Sequence, residues 1–182
     1  MTPVIPFHRP CWRLRAERPA SPLSRLAGAS DLGPLRDLIR DTAVPSVGSR
    51  FSDGSFHPVY AALEQRTCLA EVVHHWSLTF RLADCPPGMP LRTVMLSLGI
   101  DGERFLDVRS GHDDLHDPNA YRASQRFALA AYAAGEDGIL YRSVRDPGGT
   151  CVAALRPHAV GIPREHSEVR LVWTGDRLEA AG

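Results

Sequence analysis

Gly48-Ser49-Arg50-Phe51-Ser52-Asp53-Gly54-Ser55-Phe56-His57-Pro58-Val59-Tyr60, followed shortly by Thr67-Cys68-Leu69-Ala70-Glu71-Val72-Val73-His74-His75, is the most informative stretch of this 182-residue chain. It reads as three elements in a row. Prolines, glycines and serines make residues 45–58 a loop, because glycine lets the backbone turn tightly and approach other groups closely. Residues 59–63 form an apolar strand. From 67 to about 80, Leu69, Val72, Val73 and Trp76 recur at helical spacing, and Asp84-Cys85-Pro86-Pro87-Gly88 ends the helix. The loop therefore presents Arg50, the strand presents Tyr60, and the helix presents Glu71 at the margin of its apolar stripe.

The same periodicities organise the rest of the chain. Residues 1–10 are proline-rich and irregular, and Cys11-Trp12-Arg13-Leu14-Arg15 alternates as a short strand. Residues 19–30 read as loop, and Asp31 as the cap of a helix over 31–41. Short strands are expected at 91–98, 105–108, 138–144, 151–155 and 168–173. Pro118 sits in the first turn of a helix over 118–134 that Gly135 closes. Strands mixed with two or three helices indicate an α+β fold: one domain over 1–182, a twisted mixed β-sheet with flanking helices.

Composition narrows the function. The apolar fraction of 43% supports a packed core, and the formal net charge of zero gives no sign of a nucleic-acid-binding surface. All 21 basic residues are arginine, so a lysine Schiff base is excluded and phosphate contacts fall to arginine or backbone N–H groups. Cys11, Cys68, Cys85 and Cys151 are too scattered for a zinc ribbon or disulfide framework and read as buried thiols. No signal-peptide core or membrane-length apolar run occurs, so a cytoplasmic location is expected.

Arg50 in a glycine-containing loop, the Tyr60 face and the Glu71 carboxylate suit a ligand with a diphosphate and a cationic ring, of which NAD is the obvious example. Each also has a plainer reading, as surface charge, core tyrosine and solvated carboxylate. Arg13 is a second phosphate ligand or half of an ion pair, and Ser143 ends an apolar strand where site residues often lie. His74 and His75 read as packing residues, with a positioning role for one as the alternative. His112 and His116, with Asp113, Asp114 and Asp117, have metal-ligand types, yet 111–117 reads as a solvated loop and no metal site is expected. No GxGxxG or GxxxxGK[ST] fingerprint is present.

Taken in order, these motifs resemble the RES-domain family. The resemblance runs from about 11 to 155. It rests on Trp12-Arg13, Gly48-Ser49-Arg50-Phe51-Ser52-Asp53-Gly54, Val59-Tyr60-Ala61-Ala62, Thr67-Cys68-Leu69-Ala70-Glu71, Ser124-Gln125 and Asp137-Gly138-Ile139-Leu140-Tyr141-Arg142-Ser143. It implies a fold like that of ADP-ribosyltransferase toxins. It implies an NAD-degrading toxin that cleaves the nicotinamide–ribose bond by phosphorolysis or hydrolysis. It also implies neutralisation by an Xre-type helix-turn-helix antitoxin, in an oligomer with that partner. Carried over by motif, Glu71, Arg50 and Tyr60 are catalytic, while Arg13, Arg50, Tyr60 and Ser143 bind NAD. NAD is then substrate rather than cofactor, with inorganic phosphate as candidate co-substrate. The alternatives are ADP-ribosyl transfer to a protein and an inactive RES-like binding module.

Overall fold

Prolines at 3, 6 and 10 do not keep the N-terminus out of the sheet. In the computed structural model, which describes residues 2–16 and 48–181, β1 (Val4–Ala16) is a 13-residue strand. It lies antiparallel to β3 (Pro90–Asp107) along almost its whole length, and the register slips between Ile5 and Phe7, around Pro6. A bulge is where a strand tolerates a residue with no N–H to donate. The irregular reading of 1–10 is therefore corrected. The helix expected over 31–41 and the loop at 19–30 lie outside the described residues.

The two strands expected at 91–98 and 105–108 are one continuous 18-residue strand, β3. The intervening Gly99-Ile100-Asp101-Gly102 looks like a turn in sequence. It stays extended because β1 is long enough to pair with it residue by residue, Pro10 with Gly99 through Phe7 with Gly102. Gly102 serves proximity, since a Cβ there would lie 2.7 Å from Asp137 Oδ2.

The remaining elements are β2 (Val59–Ala62), α1 (Gln65–Leu82), α2 (Arg122–Ala133), β4 (Gly138–Arg142), β5 (Thr150–Ala154), β6 (Arg164–Trp173) and β7 (Leu178–Ala180). The last strand was not anticipated. Helix α2 starts four residues later than Pro118, because the Asp117 carboxylate accepts the N–H groups of Asn119 and Ala120 and makes a turn there instead. The sheet order is β1-β2-β5-β4-β3-β6-β7, and the added β1–β3 pairing returns the chain of neighbours to its start. Strands β3 and β4 run parallel, with α2 as the crossover between them. The α+β expectation is met.

Strand alternation divides the core. Leu140, Val152, Ala154, Val59 and Ala61 join one apolar cluster with Leu96, Ile100 and Phe105 of β3. Their neighbours Ile139, Tyr141, Cys151, Ala153 and Ala62 face the other way, against Ala128 and Ala131 of α2 and Phe51 and Phe56 of the loop. Helix α1 lays Val73, Trp76 and Phe80 on Leu171, Trp173 and Leu178 of the last two strands.

Gly138 sits where the core admits no side chain. A Cβ there would run into the Phe105 ring and lie 2.8 Å from the Ala153 carbonyl oxygen. Gly138→Ala is expected to lower the free energy of unfolding by roughly 1–3 kcal/mol, read as a lower urea midpoint.

Candidate functional site

A cleft of about 630 Å³ opens between β1, β2, α1 and the 48–54 loop, a size suited to a small-molecule ligand. Arg13, Arg50, Tyr60 and Glu71 all line it. The residues meet because the sheet brings β1 beside β2, while helix α1 follows β2 directly and turns one face back over the strands. On that face Cys68, Glu71, Val72 and His75 stand at i, i+3, i+4 and i+7 and line the cleft together.

Arg50 is held from three sides. The Gly48 backbone is left-handed (φ 74°), and a Cβ there would lie 2.7 Å from the Ser52 carbonyl oxygen, so only glycine permits the turn that carries Arg50. The turn is clamped to α2: Ser124 Oγ donates to Arg50 O (2.6 Å), and Gln125 Nε2 donates to Ser49 O (2.9 Å). Arg50 as a whole residue is only 9% exposed; Nη1 donates to Leu115 O (3.1 Å) and Asp117 O (2.9 Å), and the Tyr121 ring stacks 4.7 Å from the guanidinium's central carbon. Among the described residues no carboxylate pairs with it, and Nε and Nη2 have no protein partner.

The segment 111–117 thus has a role its polarity concealed. Read as a solvated loop, it forms a 3-10 turn over Asp113–His116 with Leu115 and His116 buried. His116 Nδ1 lies 2.7 Å from His112 O, and Arg142 N–H donates to Nε2 (3.3 Å), which together set a neutral tautomer. Among the described residues no group of His, Cys, Asp or Glu is placed to hold a metal ion.

Tyr60 holds the loop through its hydroxyl, which accepts Phe51 N–H (2.9 Å) and bonds Ser49 Oγ (2.7 Å). Burial pushes its phenol up to about 12, so it stays protonated. Its carbonyl accepts from Arg13 Nη1 (2.8 Å), tying the β1 cation to the β2 backbone.

Ser143 does not line the cleft. It is 6% exposed and stands behind Glu71, donating to Oε1 at 2.5 Å. Its oxygen also accepts the N–H groups of Arg145 (3.1 Å) and Asp146 (2.9 Å), so its bonding capacity is full. Glu71 Oε2 has no protein partner among the described residues.

Tyr121 and Arg145 line the cleft without having been singled out in the sequence; Tyr121 falls within the helix expected over 118–134 and stands immediately before α2, and Arg145 lies in the turn after β4. His74 and His75, read as packing residues, are exposed and line the cleft. Burial holds Cys68, which also lines it, up to about 12, so the thiol is no nucleophile near neutral pH. All four cysteines are free; three are buried, and Cys85 is part-exposed. Among the described residues no helix is long and apolar enough to cross a membrane.

Residues 11–174 match the family model of the RES domain, and the chain belongs to that family. Among solved structures, a chain of the M. tuberculosis MbcT–MbcA toxin–antitoxin complex is similar at a TM-score of 0.57 and 14% identity, over 94% of this chain and 87% of that one. That likeness is one of fold. No curated protein matches the sequence.

Desolvation by burial, then the Arg142 and Arg50 guanidinium groups, hold the His116 pKa below 6.5, against the opposing pull of the His112 carbonyl and Asp113. A folded value below the unfolded one means that the unfolded chain takes up the proton first. This stabilisation is therefore complete above about pH 6.5 and lost as pH falls through the folded value. The melting temperature is expected to fall on acidification over that window. The fall should be shallower in His116→Gln, when both proteins are scanned by thermal unfolding from pH 8 to 5.

Proposed function

We propose that this RES-domain chain is an NAD-degrading toxin that cleaves the nicotinamide–ribose bond, acts in the cytoplasm and is neutralised by an Xre-type antitoxin bound over the cleft. The observation that carries the reading is the convergence of Glu71 and the buried Arg50 cation on one cleft. Family membership supports it, and so does the fold shared with a protein solved as part of a toxin–antitoxin complex.

NAD joins a diphosphate to a pyridinium cation. Arg50, with two donor nitrogens left over and no carboxylate paired with it among the described residues, offers a fork for the diphosphate; Arg13 supplies a second cation lining the cleft. The pyridinium leaves as neutral nicotinamide, and positive charge builds on C1 of its ribose, as in glycoside cleavage. A fixed carboxylate beside that carbon stabilises the charge. Glu71 fits this role: Ser143 holds one oxygen and leaves the other for substrate.

The roles divide accordingly. Glu71 is the catalytic carboxylate and Arg50 the main phosphate ligand. The Tyr60 ring lines the cleft, and its hydroxyl keeps the Arg50 turn in place. Ser143 is a positioning residue that acts through Glu71. The acceptor is phosphate or water.

Incubating the purified chain with NAD and identifying products by mass tests the reading. Glu71→Gln is expected to cut the rate of nicotinamide release by roughly a hundred- to a thousand-fold while leaving the melting temperature near wild type. Unimpaired cleavage by a folded Glu71→Gln protein removes the carboxylate from the mechanism. Ser143→Ala, which loses a hydrogen bond to a charged group, is expected to lower kcat by roughly ten- to a hundred-fold and to change the KM for NAD much less. A rise in KM alone would place Ser143 on the substrate instead.

A further inference from the structure

A row of directly paired residues crosses four strands and lines the cleft: Trp12 of β1, Ala62 of β2, Cys151 of β5 and Tyr141 of β4. Paired residues point to the same face of a sheet, and the two central side chains are small, so they leave a trough flanked by the two aromatic ones. The Tyr141 ring packs edge-on against Phe51, the residue after Arg50, with ring centres 4.9 Å apart at 66°. Two residues further on, Ser143 bonds Glu71. Tyr141 is thus fixed to the loop that carries the cation and shares its side of the chain with the serine that holds the carboxylate.

The residue is 7% exposed, and among the described residues its hydroxyl has one hydrogen-bond partner, the Cys151 thiol. A thiol is a weak partner, and a buried phenol ordinarily finds a better one. Tyr60 shows the difference: its hydroxyl bonds both Ser49 Oγ and the Phe51 N–H and so has a structural task. The Tyr141 hydroxyl has no comparable task, since a bare ring would pack on Phe51 equally well. Burial first, then Cys151, Glu71 and Tyr60, hold its pKa well above the usual phenol value, against the opposing pull of Arg50. The group therefore stays protonated as a donor, close enough to Glu71 and Arg50 to feel both charges.

We propose that the Tyr141 hydroxyl donates a hydrogen bond to a hydroxyl of the nicotinamide ribose, and so selects ribosyl over deoxyribosyl substrates. This rests on the NAD-cleaving reading above. In NAD that ribose carries the diphosphate on C5 and nicotinamide on C1. With the diphosphate on Arg50 and C1 beside Glu71, the sugar itself spans the gap between the two residues, and it presents its 2- and 3-hydroxyls there. Tyr141 is the donor that feels both ends of that gap. When the ribose hydroxyl arrives, the phenol exchanges a sulfur for an oxygen acceptor; a deoxy sugar leaves it with the thiol alone. A site built to hydrogen-bond a substrate hydroxyl disfavours the analogue that lacks it.

The test measures kcat/KM of wild type and Tyr141→Phe on NAD and on its two analogues lacking the 2- or the 3-hydroxyl of the nicotinamide ribose. Taking the ratio of wild type to variant on each compound cancels the analogue's own reactivity. That ratio is expected to be about ten on NAD, in keeping with the loss of one hydrogen bond. It should fall to near one on the analogue that lacks the contacted hydroxyl and stay about ten on the other. The melting temperature of Tyr141→Phe should remain near wild type. A ratio of one on NAD overturns the proposal. So does the same ratio on all three compounds, which puts the hydroxyl on another part of the substrate or, if the melting temperature falls too, in a structural role. Binding of the three compounds to Glu71→Gln, with and without Tyr141→Phe, is followed in parallel by calorimetry. If the wild type leaves NAD intact, the NAD-cleaving reading fails separately, and calorimetry decides the contact. A preference for NAD over one analogue that disappears with Tyr141→Phe keeps it; equal binding of all three, or none, removes it.

Discussion

Burying Arg50 on carbonyl oxygens and an aromatic face, with no carboxylate alongside among the described residues, is the constraint around which the cleft side of the molecule is arranged. A buried charge is costly unless hydrogen bonds and nearby opposite charge compensate it. Among the described residues, hydrogen bonds reach one side of the fork only. The loop turn at Gly48, the α2 side chains Ser124 and Gln125, the Tyr60 hydroxyl and the 3-10 turn at Asp113–His116 all serve to keep that arrangement in place. On the proposed reading, an anion in the cleft would meet the donors of Arg50 that the described residues leave open.

The carboxylate is prepared in the opposite way. Glu71 sits on a helix whose apolar side is committed to β6 and β7, and it reaches the cleft from the margin of that packed stripe. Ser143 then fixes one of its oxygens, using a hydroxyl that is itself immobilised by two backbone N–H groups of the β4–β5 turn. Such preorganisation matters more than the strength of any one bond, because a carboxylate that need not reorient stabilises a developing cation without reorganisation. The site thus has a positive wall built on β1 and the 48–54 loop and a negative point on α1. A dinucleotide with phosphates at its middle and a cation at one end carries the complementary pattern.

Much of this was legible in the chain. The loop–strand–helix order around Arg50, Tyr60 and Glu71 follows from glycine placement and a switch of periodicity from two to 3.6, both local properties. The strands at β2, β4 and β5 were likewise visible, being short apolar runs bounded by turn residues. The failures share one cause. Gly99 to Gly102 looks like a turn, and the N-terminal prolines look irregular, until each segment is seen to be the other's pairing partner. Residues 111–117 look solvated because polarity records side chains, while it is backbone carbonyls that hold Arg50.

The amino-acid sequence by itself determined the α+β class, the elements carrying Arg50, Tyr60 and Glu71, and the family to which the chain belongs, because these depend on residue type and near-neighbour spacing. Only the tertiary structure decided that Ser143 stands behind Glu71 rather than in the cleft, that a polar turn cradles Arg50, and that Arg145 and His74 share the wall with the carboxylate. Those facts depend on hydrogen bonds between residues up to 72 positions apart. Hydrogen-bond partners at that separation are set by how strands and helices pack, and no local pattern in the chain encodes them.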